Sequence, residues 1–240
     1  MPVTLGTLKS SLMPATPVIA VTAKAMQEDR DRCFEAGALA TETKFALEIV
    51  NERCTPRRTL AAEVPVGSEG LVVLDYFQGN RSPYTDPHAR GLISGLSLRH
   101  GPGHLFRAIL EGICFGTELI LATLRRHDFE LKSIVAAGGA TRSELWMQLH
   151  ADVSNVPISI TREPEGPALG AAMLAAVGAG IYPDLATAAA EMVHVERTIE
   201  PDQGRHQQYA FFMDRYTELY PQVKDVMHQV TRHVAGGGGP

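Results

Sequence analysis

The sequence predicts an α/β protein. Three observations carry that expectation: short apolar runs alternate with helix-period segments, glycines stand where strands hand over to helices, and the composition can fill a large core. Of 240 residues, 45% are hydrophobic and 20% charged, which excludes disorder as the dominant state and leaves room for one large domain or two small ones. Lys and Arg total 22 against 27 Asp and Glu, a net charge of −5, so no basic footprint marks a nucleic-acid partner and none is expected.

Taken in chain order, residues 17–22 form a β-branched run that predicts a strand, leading into an amphipathic helix over 25–36 that stops at Gly37. A second helix is predicted over 44–52, where Phe45, Leu47, Ile49 and Val50 recur before Pro56. A boundary is expected near 52–62, separating a segment 1–52 from a domain 53–235, with a flexible glycine tail at 236–240. Pro and Gly punctuate 64–70, and the continuous apolar run 71–77 reads as a buried strand. Residues 78–91 hold two Pro and two Gly and read as an ordered loop.

A long helix is predicted over 103–126. Its apolar positions wrap most of the way round, and Ala108, Gly112 and Gly116 let a neighbour approach its backbone, so it is expected to be buried. Strands over 133–137 and 157–160 then alternate with helices over 143–153 and 167–178, Pro167 standing where a helix accepts its first residue. Residues 185–195 and 206–234 read as further helices. The uncharged stretch 166–181 is shorter than the roughly 20 residues a membrane span needs, and the opening residues make no leader pattern, so no membrane contact and a cytoplasmic address are expected. Cys33, Cys54 and Cys114 lie far apart and suggest buried thiols rather than a disulfide or zinc site. His100 and His104 flank a Pro/Gly break, and no metal site is expected from them.

The chemistry concentrates in two strand-to-helix turns. Gly138-Gly139-Ala140-Thr141-Arg142-Ser143 ends one strand and opens a helix, where amides not used by the helix can meet a phosphate or ribose. Glu165-Gly166-Pro167-Ala168-Leu169-Gly170 repeats the arrangement one unit later, so two helix N-termini can flank one nucleotide at the strand ends. Neither matches GxGxxG or GxxxxGK[ST], which disfavours dinucleotide and P-loop readings. No Ser/His/Asp order, carboxylate pair or metal cluster declares a catalytic centre.

Seven ordered segments carry a family resemblance: Ala62 to Gly70, Gly79 to Pro87 with Ala89-Arg90-Gly91, Ile93 to Leu96, Arg107 to Ile113, Ala137 to Ser143, Ala151-Asp152-Val153, and Gly166 to Ala172. Together, over about residues 60–220, they resemble the C-terminal domain of the FGGY carbohydrate kinases. The resemblance implies an actin-like ATPase (ribonuclease H-like) fold and an enzyme that transfers the ATP γ-phosphoryl group to a sugar or polyol hydroxyl. Gly79-Asn80-Arg81-Ser82-Pro83 leans toward ribulokinase-like members and hence a pentulose. It implies nucleotide contacts at Gly138, Gly139, Ala140, Ser143, Gly166 and Gly170, a loop near the interdomain cleft at Arg81, Asp86 and Arg90, and Mg2+ held through the phosphates of ATP. Glu111, a carboxylate amid small apolar residues, reads as structural. No catalytic residue is assigned.

Residues 14–48 resemble the fourth strand and helix of a two-component receiver domain, with Thr22 at its switch position and Lys44 at its lysine. The acidic phosphoacceptor pocket of a receiver does not accompany them. The kinase family's sugar-binding domain, its proton-accepting Asp and its Gly-Thr-Ser phosphate loop do not precede the matched segments either. The chain alone is therefore expected to bind nucleotide without turning over, its partners being a nucleotide, a sugar, and a second copy or a separate N-terminal kinase domain. The rival expectation is a non-catalytic interaction module or the remnant of a fused or truncated reading frame.

Overall fold

The structure, a computed structural model, describes residues 60–236. The strand and helices predicted before residue 53, the receiver-like segment, Cys33 and Cys54, and the last four residues of the tail lie outside the described residues. From Ser68–Gly70, a short 3-10 turn, the chain enters β1 (Val72–Leu74), crosses the loop 78–91, and returns antiparallel as β2 (Leu92–Ser94), with Val73 opposite Ile93. Helix α1 (Pro102–Arg126) follows, then β3 (Ile134–Ala136), a 3-10 turn Gly139–Arg142, α2 (Glu144–Ser154) and β4 (Ile158–Thr161). Helices α3 (Gly166–Gly178) and α4 (Leu185–Met192) precede β5 (Val195–Ile199) and the 33-residue α5 (Gln203–Ala235). Strands β3 and β4 are parallel, and β5 joins β4 antiparallel.

The α/β order read from the sequence is present, with three differences. The strand expected over 71–77 is cut to three residues because the loop at 78–91 pulls the backbone out of the ladder: Phe77 N donates to Asp75 O and Gly79 N to Tyr76 O. Strand β2 was not expected. The helix expected over 185–195 stops at Met192, where Val193 takes up extended backbone, and β5 follows. Its residues are too exposed and polar to show an apolar period.

Helix α1 is the centre of the core, packed against β1, α2 and α5. The small-residue stripe works as expected: a Cβ on Gly112 would meet Val73 O at 2.5 Å and one on Gly116 would meet Asp75 Oδ2 at 2.6 Å, so only glycine lets β1 lie this close. Cys114 on the same helix is a buried free thiol, held well above its usual pKa by burial.

Polar groups join these layers. Glu111, buried on α1, accepts from Gly67 N (3.1 Å), Arg107 Nε (2.9 Å) and Tyr209 OH (2.9 Å) at one oxygen, and from Ser68 Oγ (2.8 Å) at the other. Arg107 also donates to Tyr209 OH and to Ala61 O. The carboxylate is thus fully used, as its sequence setting implied. It also fixes a backbone that is costly by itself. Gly67, Ser68, Glu69 and Gly70 have φ of 76, 48, 55 and 101°, and the two non-glycine residues pay about 1–3 kcal/mol each for a left-handed conformation.

Helix α5 repeats this device. Tyr209 donates to Glu111, Tyr216 OH to Asp75 Oδ1 at 2.6 Å, and Tyr220 OH to Asp86 Oδ2. Three tyrosines on one helix each satisfy a buried carboxylate on a different element: α1, the end of β1, and the loop 78–91.

Candidate functional site

The parallel pairing of β3 with β4, Ala136 opposite Ile160, brings both glycine turns to the same end of the sheet. Gly138 leaves β3 at φ 99°, a conformation that favours glycine. Gly139 opens the 3-10 turn, in which Ala140 and Thr141 are buried and Thr141 Oγ1 donates to Gly138 O at 2.7 Å. Ser143 then caps α2, its Oγ accepting from Trp146 N at 3.4 Å.

The second turn meets the first directly. A Cβ on Gly166 would stand 3.1 Å from Ala137 Cβ, so the first residue of α3 lies against the residue that precedes Gly138. Helix α3 has Glu165 at its N-cap with no side-chain cap, which leaves first-turn amides and the positive end of the helix dipole to an outside acceptor. A Cβ on Gly170, one turn in, would meet nothing within 4 Å. The turn that carries Gly138, Gly139, Ala140 and Ser143 therefore adjoins the start of α3 where Gly166 meets Ala137, an amide-rich cradle with open space above Gly170.

Two residues not singled out in the sequence brace that cradle. Arg197 on β5 forms an ion pair with Glu144 at the start of α2 and donates through Nη2 to Thr141 O at 3.5 Å. Arg197 lies 56 positions from Thr141, and no local pattern links them.

The loop 78–91 is tied elsewhere. Asp86 Oδ1 accepts from His88 N (2.9 Å), and Oδ2 accepts from Tyr220 OH and from His228 Nε2 (2.6 Å), with Lys224 Nζ at 3.9 Å. Burial opposes ionisation here, but the hydrogen bonds from Tyr220, the His88 backbone and His228 outweigh it and hold the carboxyl at about 2. Arg90 donates to Pro87 O and Ala89 O, while its amide faces Met227 Sδ. Arg81 is exposed at the loop tip, its carbonyl accepting from Thr85 Oγ1. Asp86 and Arg90 thus dock the loop on α5 and not on the glycine turns.

His100 and His104 stack edge to face at 5.5 Å. Ser97 N donates to His100 Nδ1 and Gly101 N to His104 Nδ1. His100 Nε2 lies 3.3 Å from Glu69 O, and His104 Nε2 lies 3.9 Å from the Glu69 carboxylate. Among the described residues no three His, Cys, Asp or Glu side chains are grouped to hold a metal ion. No helix there is long and apolar enough to cross a membrane.

Residues 23–179 match the FGGY family of carbohydrate kinases, C-terminal domain. The match opens at residue 23, inside the segment set apart as 1–52. The chain is 34% identical over 176 residues to a xylulose kinase of Staphylococcus epidermidis, covering 73% of this chain and 36% of that protein. It is 44% identical over 133 residues to a ribulokinase of Mycolicibacterium smegmatis, covering 55% of this chain and 24% of that one. Among solved structures, ligand-bound xylulose kinase from Lactobacillus acidophilus superposes with a TM-score of 0.70 at 27% identity, over 77% of this chain and 38% of that one. The chain spans about a third of the length of the xylulose kinases it matches. The actin-like ATPase fold implied by the sequence motifs is the fold of these neighbours. With more than half its length matched, the chain belongs to the FGGY family of carbohydrate kinases and carries that family's C-terminal domain.

Proposed function

We propose that this chain is the nucleotide-binding portion of an ATP-dependent carbohydrate kinase, which transfers the γ-phosphoryl group to a hydroxyl of a pentulose. The observation that carries the reading is the contact of the two glycine turns, Gly166 against Ala137, beside an uncapped helix N-terminus and open space at Gly170. Backbone amides and helix dipoles suit phosphate oxygens, and glycines let phosphates come close. The names of the related proteins, xylulose kinase and ribulokinase, favour a five-carbon ketose.

In this reading Gly138, Gly139 and Ala140 line the phosphate and ribose, Ser143 reaches the base, and Gly166 and Gly170 wall the opposite side. Mg2+ would come to the site with ATP, since it keeps several waters and takes few protein ligands, and among the described residues no three His, Cys, Asp or Glu side chains are grouped to hold it. Bound Mg2+ would neutralise charge on the transferring phosphoryl group. Arg81, exposed at the tip of its loop, faces a sugar or phosphate in this reading, with Asp86 and Arg90 holding the loop in place. The protein works where ATP is, in the cytoplasm. Phosphoryl transfer needs both substrates positioned, so the chain by itself binds nucleotide and requires the sugar-side half of the kinase to turn over.

Calorimetric titration with ADP tests this. Binding with a Kd at or below the millimolar range is expected, weakened at least tenfold by Gly139→Asp, which places a like charge beside the phosphates. No heat at millimolar ADP, or equal affinity in Gly139→Asp, would overturn the reading.

A further inference from the structure

The first glycine turn is anchored from two strands away. Ala136, Ile160 and Arg197 stand in one row across the sheet, Ala136 pairing with Ile160 on β4 and Ile160 with Arg197 on β5. Gly138 follows two residues after Ala136, so Arg197 is nearly level with the point where the turn begins. Its guanidinium reaches Thr141 O through Nη2 at 3.5 Å and the Glu144 carboxylate through Nη1.

The turn's own hydrogen bonds are local. Thr141 N and Thr141 Oγ1 both donate to Gly138 O, at 3.2 and 2.7 Å, and Ser143 N donates to Ala140 O at 3.0 Å. These bonds set the shape of the turn but not its place on the sheet. Among the described residues, Arg197 supplies the hydrogen bond that ties residues 139–142 to another strand.

Glu144 gives the second contact its meaning. It stands in the first turn of α2, where a carboxylate is favoured by the positive end of the helix dipole. That placement suits the helix and opposes a phosphate, because the carboxylate takes up the same positive end and repels a second anion. The ion pair with Arg197 cancels the charge and holds the side chain toward β5. A planar guanidinium can bond a carbonyl and a carboxylate at once through two nitrogens in a fixed fork, which an ammonium cannot reproduce. Both side chains are exposed, and exposed ion pairs add little to stability, so folding alone gives this pair little to do.

We infer that Arg197 is a positioning residue of the nucleotide cradle: it holds the first glycine turn by the Thr141 carbonyl and keeps the Glu144 charge from opposing the phosphates. This role rests on the nucleotide reading of the two turns, and Arg197 acts through Thr141 and Glu144 without touching the nucleotide.

Calorimetric titration of the full chain with ADP, beside three variants, tests it. Arg197→Met keeps the reach of the side chain and loses its charge and donors, and should raise the ADP Kd by about fivefold or more, as the loss of a charge-assisted contact does. Arg197→Lys, with charge but no fork, should fall between parent and Arg197→Met. Glu144→Gln added to Arg197→Met should tighten ADP binding at least twofold over Arg197→Met alone, a rescue that a purely structural role would not give. The urea midpoints should stay together. In the absence of nucleotide, amide exchange at Thr141 and Ser143 should quicken at least tenfold in Arg197→Met. An Arg197→Met protein that binds ADP as tightly as the parent, or a double variant no tighter than the single one, would overturn the inference. If the parent itself gives no heat with ADP, the nucleotide reading fails, and exchange then decides the rest: quickened exchange leaves Arg197 as the brace of the turn, and unchanged exchange removes that too.

Discussion

Asp75 ends β1 with its carboxyl against the Gly116 backbone and beneath Tyr216. Burial, partly offset by the Tyr216 hydrogen bond, lifts its pKa from 3.8 to about 6. The native state therefore holds this proton more tightly than the unfolded chain, and the stability it contributes is complete below pH 3.8 and is lost as pH rises through 6. His150, buried against Trp146, is pushed the other way, from 6.5 to about 4 by burial. Its contribution is complete above pH 6.5 and is lost as pH falls through 4. Each shift is worth roughly 3 kcal/mol at 1.36 kcal/mol per pH unit, with opposite sign over nearly the same window. The two contributions nearly cancel in the native protein. Urea unfolding at pH 4.5 and 7 should show that: in Asp75→Asn stability rises with pH, and in His150→Phe it falls, each by about 2–3 kcal/mol more than in the parent. Equal slopes in all three proteins would mean that neither group titrates as its burial requires.

Among the elements, α1 and α3 use glycine for opposite ends. On α1, Gly112 leaves no space between helix and β1, and Gly112→Val should cost about 3 kcal/mol or more by forcing them apart. On α3, Gly170 faces open space inside a helix, so Gly170→Ala should stabilise by about 0.5–1 kcal/mol while weakening ADP binding. Thermal melts of both variants with ADP titration of the second check this, and a Gly170→Ala protein with unchanged ADP affinity would remove that residue from the cradle. The loop 78–91 gives a third expectation. Because the Asp86 carboxyl is held at about 2, its contribution is complete above pH 3.8 and is lost as pH falls through 2, so acid should release this loop from α5 first. Fluorescence of a probe at an exposed position of the loop, followed from pH 5 to 2, should report that release, and Asp86→Asn should show it already at pH 7.

At the scale of the molecule, what the sequence revealed is what local chemistry encodes. Glycines at strand ends, a proline at the first turn of α3 and the small-residue stripe of α1 each state their own requirement within a few positions. The α/β order and the two turns were legible for that reason. Arg197 bracing Thr141, Tyr220 and His228 clamping Asp86, and the pairing of β5 with β4 were not, since each joins positions 39 to 142 apart and none leaves a periodic trace. The seven family segments did reach across that distance, because their order along the chain records a fold.

Helix α5 sets a schedule as well as a structure. Glu111, Asp75 and Asp86 all precede, by 98, 141 and 134 positions, the tyrosines that satisfy them. A ribosome delivers the acids first and their hydroxyl partners much later. Glu111 already has Gly67, Ser68 and Arg107 as partners, but until residue 220 has emerged Asp75 and Asp86 lack the hydroxyls that meet them in the native state, and the elements that bear them close over them only incompletely. This domain consequently locks from its far end, and interrupted synthesis before α5 yields an open chain that quality-control proteases can recognise.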